Sequence, residues 1–211
     1  MLQNSSFEEG YYHWHDVGEL AIPNRWAFWY ADESQQMLPG QSQPFRRPET
    51  VVWRKSDASE RDRAAFFLHG NYIWKCFGAW KPIHVRLWQT VNLQAGTKYE
   101  LKMPVFPDLV ETYLPDGSKR FAGDAWAGEA RLIVLNGLQP LYSSGWQNAN
   151  QMPFGQWSTL TTQFTPTTIS VSCVLELRAK WGIPNNGFFV DKISLNAMSG
   201  QHRVWLPLIT R

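Results

Sequence analysis

The stretch His84-Val-Arg-Leu-Trp-Gln-Thr-Val-Asn-Leu93 alternates along its length, with Val85, Leu87, Val91 and Leu93 on one parity and Arg86, Trp88 and Thr90 on the other. A period of two marks a strand with one face buried. Gln94-Ala-Gly-Thr97 then supplies a turn, and Tyr99-Glu-Leu-Lys-Met103 alternates again. Residues 168–180 repeat the pattern. Ile169, Val171, Cys173, Leu175 and Leu177 share one face, opposite Ser170, Ser172, Glu176, Arg178 and Lys180. Further strands are expected at 64–68, 130–135, 157–165 and 188–195. No segment holds a helical apolar period beyond about two turns. Residues 56–67 offer a short helix with Asp57 or Ser59 as its cap, but Phe66-Phe67-Leu68 reads better as strand. Short strands punctuated by Gly, Pro, Asn and Asp make an all-β, antiparallel jelly-roll β-sandwich. Two long loops interrupt it, at 30–48 and 104–128; Asp116-Gly117 in the second suits the tip of a small hairpin.

The length fits a single domain over 1–211, with the sandwich at about 2–197 and a C-terminal strand or tail at 198–211. Charged residues make up 18% of the chain, below the usual quarter or so. Its polar surface therefore leans on Asn, Gln, Ser and Thr and suits neutral, hydroxyl-rich partners. A net charge of +2 with no Lys/Arg block gives no electrostatic case for nucleic acid. No run approaches the ~20 apolar residues of a membrane span, so no membrane insertion is expected. No basic-then-apolar export signal opens the chain. The composition alone leaves a cytoplasmic location open. Cys76 and Cys173 are compatible with one disulfide or with two buried thiols.

Twelve tryptophans are present, many beside charged or turn residues. A large ring whose N–H needs a partner favours half-wet positions, and Trp is enriched where proteins grip partners. The surplus points to a recognition surface rather than a reaction centre.

Three segments carry a resemblance. Leu2-Gln-Asn-Ser-Ser-Phe-Glu-Glu-Gly10, Leu87-Trp-Gln-Thr-Val-Asn-Leu-Gln-Ala-Gly-Thr-Lys-Tyr99 and Asn186-Gly-Phe-Phe-Val-Asp-Lys-Ile-Ser-Leu195 resemble, in order and spacing, the opening, middle and closing segments of galactose-binding-like β-sandwiches. The specific likeness is to carbohydrate-binding modules appended to xylanases and cellulases. Pro23-Asn-Arg-Trp26, Arg47-Pro-Glu49 and the terminal Val204-Trp-Leu-Pro-Leu-Ile209 also look like uncharacterised bacterial surface or secreted modules. The resemblance implies a glycan or polysaccharide partner, a secreted or cell-surface location, and other domains of a larger parent protein. It also implies a structural calcium with Glu8 and Asp191 as carboxylate ligands. The other role open to these two is to accept backbone N–H bonds or pair with Lys192.

With Val85, Leu87 and Val91 pointing in, Arg86 and Trp88 point out on the face where such modules bind glycans, and Gln89 becomes a core amide satisfied by backbone. On the long strand Glu176 and Arg178 point out by the same logic. An indole packs against the C–H face of a pyranose, and charged side chains hydrogen-bond its hydroxyls. The competing reading has the long loops burying Trp88. The expected ligand-binding set is Trp88, Arg86 and Arg178 from the sheet, Trp29, Glu49 and Trp53 from one loop side, Trp74 and Trp80 from another, and Trp126 at the rim. Trp26, Trp146, Trp157 and Trp205 are assigned to packing. The alternative use of the same rings is protein interaction or cell-surface assembly.

Enzyme readings do not survive. Glu8-Glu9, Asp32-Glu33 and Asp124/Glu129 could pair as glycosidases require, but any chain with 18 acidic residues offers such pairs. His13-Trp-His15 with Asp16 lacks a third clear ligand and reads as a polar strand. Neither a Gly-x-Ser-x-Gly nor a phosphate-binding glycine loop occurs.

Overall fold

The computed structural model describes residues 1–137 and 139–198, which form β1 (Tyr11–His13), β2 (Ala21–Pro23), β3 (Ala27–Tyr30), β4 (Glu49–Arg54), α1 (Glu60–Phe66), β5 (Tyr72–Gly78) and β6 (Ile83–Asn92). β7 (Tyr99–Tyr113), β8 (Lys119–Phe121), β9 (Gly128–Asn136), β10 (Gln139–Ser143), β11 (Ser158–Phe164), β12 (Ser170–Ala179), β13 (Asn185–Val190) and β14 (Ser194–Ala197) follow. One sheet has the order β10-β9-β12-β6-β3. The other has β11-β7-β13-β5-β4, with β14 and β8 also paired to β7. Neighbouring strands in both sheets run antiparallel. The short β1–β2 pair is a separate ribbon tied to β4, where Thr50 Oγ1 donates to Ala21 O at 2.9 Å.

Alternation dictates this arrangement. On β6 and β12 the parity of Val85, Leu87, Val91, Val171, Cys173, Leu175 and Leu177 is buried, and these side chains meet Trp74, Leu101, Met103, Val105 and Phe188 of the other sheet in one core. Ile169 lies one residue short of β12 and is exposed, so the inward row starts at Val171. Gln89 sits at core parity; its amide donates to Gln3 O and Arg25 O and its carbonyl accepts from Gln3 N. Those bonds lash the opening segment to the five-stranded sheet. That opening segment is turn rather than strand, with Asn4 and Phe7 at positive φ and the Phe7 ring fully buried.

Two expectations are corrected. The strand expected at 64–68 is absent, because residues 64–66 end α1; Ser59 Oγ accepts from Asp62 N–H at 3.1 Å, the capping of the alternative reading. Residues 104–113 continue β7, although Pro104 and Pro107 lie within it. From Met103 to Val110 that strand is buried throughout, so its sequence shows no alternation. The expected hairpin is present, with Asp116 and Gly117 between β7 and β8. The 30–48 connection carries no helix or strand after Tyr30 and is anchored by the buried Phe45. Cys76 and Cys173 are free, buried thiols on opposite sheets; burial pushes Cys173 up to about 12 and Cys76 up as well. No helix among the described residues is long and apolar enough to cross a membrane.

Candidate functional site

The outward side chains of the five-stranded sheet fall into rows set by strand register. In one row Trp88, Val174 and Ile133 lie side by side, flanked by Ala27 and Ser143. The next row on one side is Thr90, Ser172, Leu135 and Pro140, with the Thr90 and Ser172 hydroxyls 2.7 Å apart. The row on the other side is Trp29, Arg86, Glu176 and Arg131. Beyond it come His84, Arg178 and Glu129.

The first three rows enclose an open cleft of about 600 Å³. Trp88, Val174, Ile133 and Leu135 supply apolar lining, Trp29, Arg86 and Arg131 a mixed wall, and Gly137, Pro140 and Ser143 the far rim. Such a lining, mostly apolar with a few fixed polar groups, is the usual make-up of a small-molecule site.

Glu176 organises the wall. Its carboxylate is fully buried and accepts from His84 Nε2 and Arg86 Nε, each at 2.8 Å, and from Arg131 Nε. Burial would raise this carboxyl, but the hydrogen bonds from His84 and Arg131 and the Arg86 charge outweigh it and hold it at about 2. It is therefore ionised at neutral pH, and it sets both guanidinium planes. Arg178 donates to Glu129 at 2.6 Å. Indoles then cap the ionic rows: Trp29 lies over Arg86 at 5.0 Å, and Trp146 over Arg131 at 4.4 Å and Arg178 at 3.7 Å. Phe45 and Trp146 both approach His84. Loop residues thus cover the ionic end of the face, while Trp88 remains partly exposed.

Several expected site residues lie elsewhere. Trp74 is fully buried in the core and donates Nε1–H to Ala21 O at 3.2 Å, so it cannot rim a cleft. Trp53 and Glu49 are on β4, in the opposite sheet. Trp53 packs on Phe66, Phe67 and Phe189, and Glu49 pairs with Lys81. Trp80 and Trp126 are 65% and 52% exposed but belong to turns outside the cleft lining. Arg178 is on the expected face, yet it is committed to Glu129 and Trp146. Trp26 and Trp157 pack as expected, with their N–H groups on Asn4 O and Ala65 O. Trp146, assigned to packing, is instead a cap over two arginines of the sheet face; Trp205 lies outside the described residues. Arg131, Ile133, Leu135 and Val174 were not in the expected set. The first three share one parity of the 130–135 run, a signal that marks one face without saying which sheet it belongs to.

Glu8 and Asp191 serve the same loop as hydrogen-bond acceptors. Glu8 Oε1 accepts from the N–H groups of Asn71 and Tyr72. Asp191 Oδ2 accepts from Leu68 and His69, and Oδ1 from Lys192. Burial nevertheless pushes the Asp191 carboxyl up to about 6 against those bonds. N–H groups aimed at both carboxylates suit an anion clamp better than a cation cage. No cluster of three or more His, Cys, Asp or Glu able to hold a metal occurs among the described residues. His13 closes β1 whereas His15 has positive φ in the following 3₁₀ turn, so the two do not share a strand face.

No protein-family model matches the chain, and no curated protein matches it. Solved structures do. TmCBM61 in complex with β-1,4-galactotriose matches with a TM-score of 0.57 and 13% identity over 93% of this chain and 97% of that one. A cyclase from Fischerella sp. TAU in complex with 4-(1H-indol-3-yl)butan-2-one matches with 0.53 and 18%, over 95% and 98%. The enzymatically active domain of bacteriophage CBA120 tailspike protein 4 matches with 0.50 and 9%, over 93% of this chain and 21% of that one. A binding module and enzyme chains share this sandwich, and at such identities the likeness is one of fold. In fold, the chain is similar to the β-sandwich carbohydrate-binding modules.

Proposed function

We propose that the chain is a non-catalytic carbohydrate-binding module whose ligand lies in the cleft on the five-stranded sheet. The observation that carries this reading is the row structure: a partly exposed indole, Trp88, in an apolar floor beside guanidinium groups locked by a buried carboxylate. A sugar ring stacks its C–H face on Trp88 or Trp29, and its hydroxyls accept from Arg86 and Arg131. A flat aromatic patch would suit a protein partner better; these rings wall a concavity. No Asp or Glu lines the cleft among the described residues. Glu176, behind the wall, is ionised and spent on three hydrogen bonds, which supports binding without the paired carboxylates of glycoside hydrolysis. A module of this kind works at the cell surface or in the secreted space beside other domains of its parent protein.

Affinity gel electrophoresis over a panel of soluble polysaccharides tests the proposal. Migration of the unmodified protein should be retarded by at least one glycan, and Trp88→Ala should be clearly less retarded with its thermal midpoint preserved. Absence of retardation by every glycan, with self-association in solution, would contradict it.

A further inference from the structure

The ionic row of the cleft is unbalanced. Two guanidinium groups, Arg86 and Arg131, face one carboxylate, Glu176, so one of the two positive charges is uncompensated. The neighbouring Arg178 is matched by Glu129 and does not alter that count. Both unbalanced arginines line the cleft and remain 43% and 26% exposed.

Their bonding is directional as well. Each gives its Nε–H to Glu176, and the Cζ of each sits over an indole ring, Arg86 on Trp29 at 5.0 Å and Arg131 on Trp146 at 4.4 Å. What remains is the edge bearing the terminal nitrogens, which meets no acceptor among the described residues. A carboxylate that pins Nε beside a neighbouring indole leaves the terminal nitrogens as donors ready for another anion. The apolar floor lowers the local dielectric and strengthens that attraction. A neutral sugar would leave the extra charge unmatched; an anionic one completes the row.

We infer that the cleft selects an anionic glycan, a sugar bearing a carboxylate or a sulfate ester, whose charged group bridges Arg86 and Arg131 while its ring lies on the Trp88 floor. This rests on the cleft being a glycan site. A uronic acid and a sulfated sugar present the same chemistry to a pair of guanidinium edges.

Two matched pairs of polysaccharides separate the possibilities: pectate against its fully methyl-esterified form, and a sulfated galactan against the same galactan after desulfation. Isothermal titration with the unmodified protein should show the charged member of one pair bound about tenfold or more tightly than its neutral partner. The pair showing the preference identifies the carboxylate or the sulfate as the source. That preference should shrink as salt rises from low to high ionic strength. Arg131→Gln should abolish it while Trp88→Ala weakens both members alike. Arg131→Gln leaves Glu176 with His84 and Arg86, and its thermal midpoint reports whether the fold is retained; the matched pairs need no variant. Equal binding within both pairs, or binding only to neutral glycans of the wider panel, would overturn the inference and leave the carbohydrate reading standing. Failure to bind any glycan, charged or neutral, would overturn both.

Discussion

On the outer face of the seven-stranded sheet, Trp53, Phe106, Phe189 and Trp157 lie beneath or around α1; on the outer face of the five-stranded sheet, Trp29, Trp88 and Trp146 have no helix above them. The helix inserts Phe66, which stacks on Phe189 at 4.1 Å and meets Phe106 edge-on at 5.0 Å, and Trp157 Nε1–H holds Ala65 O at 2.9 Å. Lys75, its charged form disfavoured by burial despite the charge of Asp108, lies over Phe77 and Phe189. Under α1 that face forms a second, smaller core, flanked by one concavity beside Glu49, Trp53 and Lys75 and another beside Asp62, Phe106 and Asp108. Across the sandwich the same residue types meet arginines and water, and they leave a cleft. Aromatic content therefore does not distinguish a packing layer from a recognition layer; what covers the rings does.

The largest effect is expected from opening the covered face. Phe189→Ala removes the ring between Phe66, Phe106 and Trp53 and should cost about 4 kcal/mol of unfolding free energy, read from urea midpoints. Glycan affinity of the folded protein should not change. A large loss of affinity at intact fold would break the division between the faces.

Glu176→Gln comes next. It leaves two arginines over a buried amide and should cost about 3 kcal/mol together with glycan binding, because the guanidinium planes lose their anchor. Its pH signature has a definite sign. The Glu176 carboxyl is held at about 2 in the fold against an ordinary 4.5. Its stabilisation is thus complete above the ordinary value and disappears as pH falls toward 2. Asp191 acts oppositely: its folded value of about 6 lies above the ordinary 3.8. The fold binds that proton more tightly than the unfolded chain, so this group's contribution falls as pH rises through that window. Urea midpoints against pH should climb on the acid side and decline toward pH 6, and Glu176→Gln should flatten only the acid limb.

A smaller effect sharpens the comparison by exchanging equivalent rings. Trp88→Ala should weaken glycan binding by about 1–2 kcal/mol, measured by titration, whereas Trp53→Ala should leave binding unchanged. The smallest expected effect concerns Glu8 and Asp191. With both carboxylates satisfied by backbone N–H groups, a chelator should leave the thermal midpoint where it was. A clear fall on chelation, reversed by calcium, would assign them to an ion after all.

Much of the open face was legible in the sequence. Alternation over 84–93 and 168–180 placed Arg86, Trp88, Glu176 and Arg178 outward, and the core-parity Gln89 found backbone partners as its parity required. Trp74 was misplaced although a signal existed: Lys75, between Trp74 and Cys76, points out and so turns its neighbours in. Trp53 and Glu49 could not be excluded locally, because strand parity says in or out but not which sheet. β7 was hidden by its two prolines and by burial on both faces. α1 was masked by Phe66, whose ring serves the second core rather than a strand face. Trp146 caps a sheet it joins only through tertiary folding, so no local period could announce it.

The division between the faces is tested most directly by backbone and indole NMR shift mapping with the tightest-binding oligosaccharide of the panel. Shifts should concentrate on Trp88, Trp29, Arg86, Arg131 and Val174, and leave Trp53, Lys75 and Phe189 unmoved. Shifts centred on the latter group, or on Trp80 and Trp126 at the turns, would contradict the account.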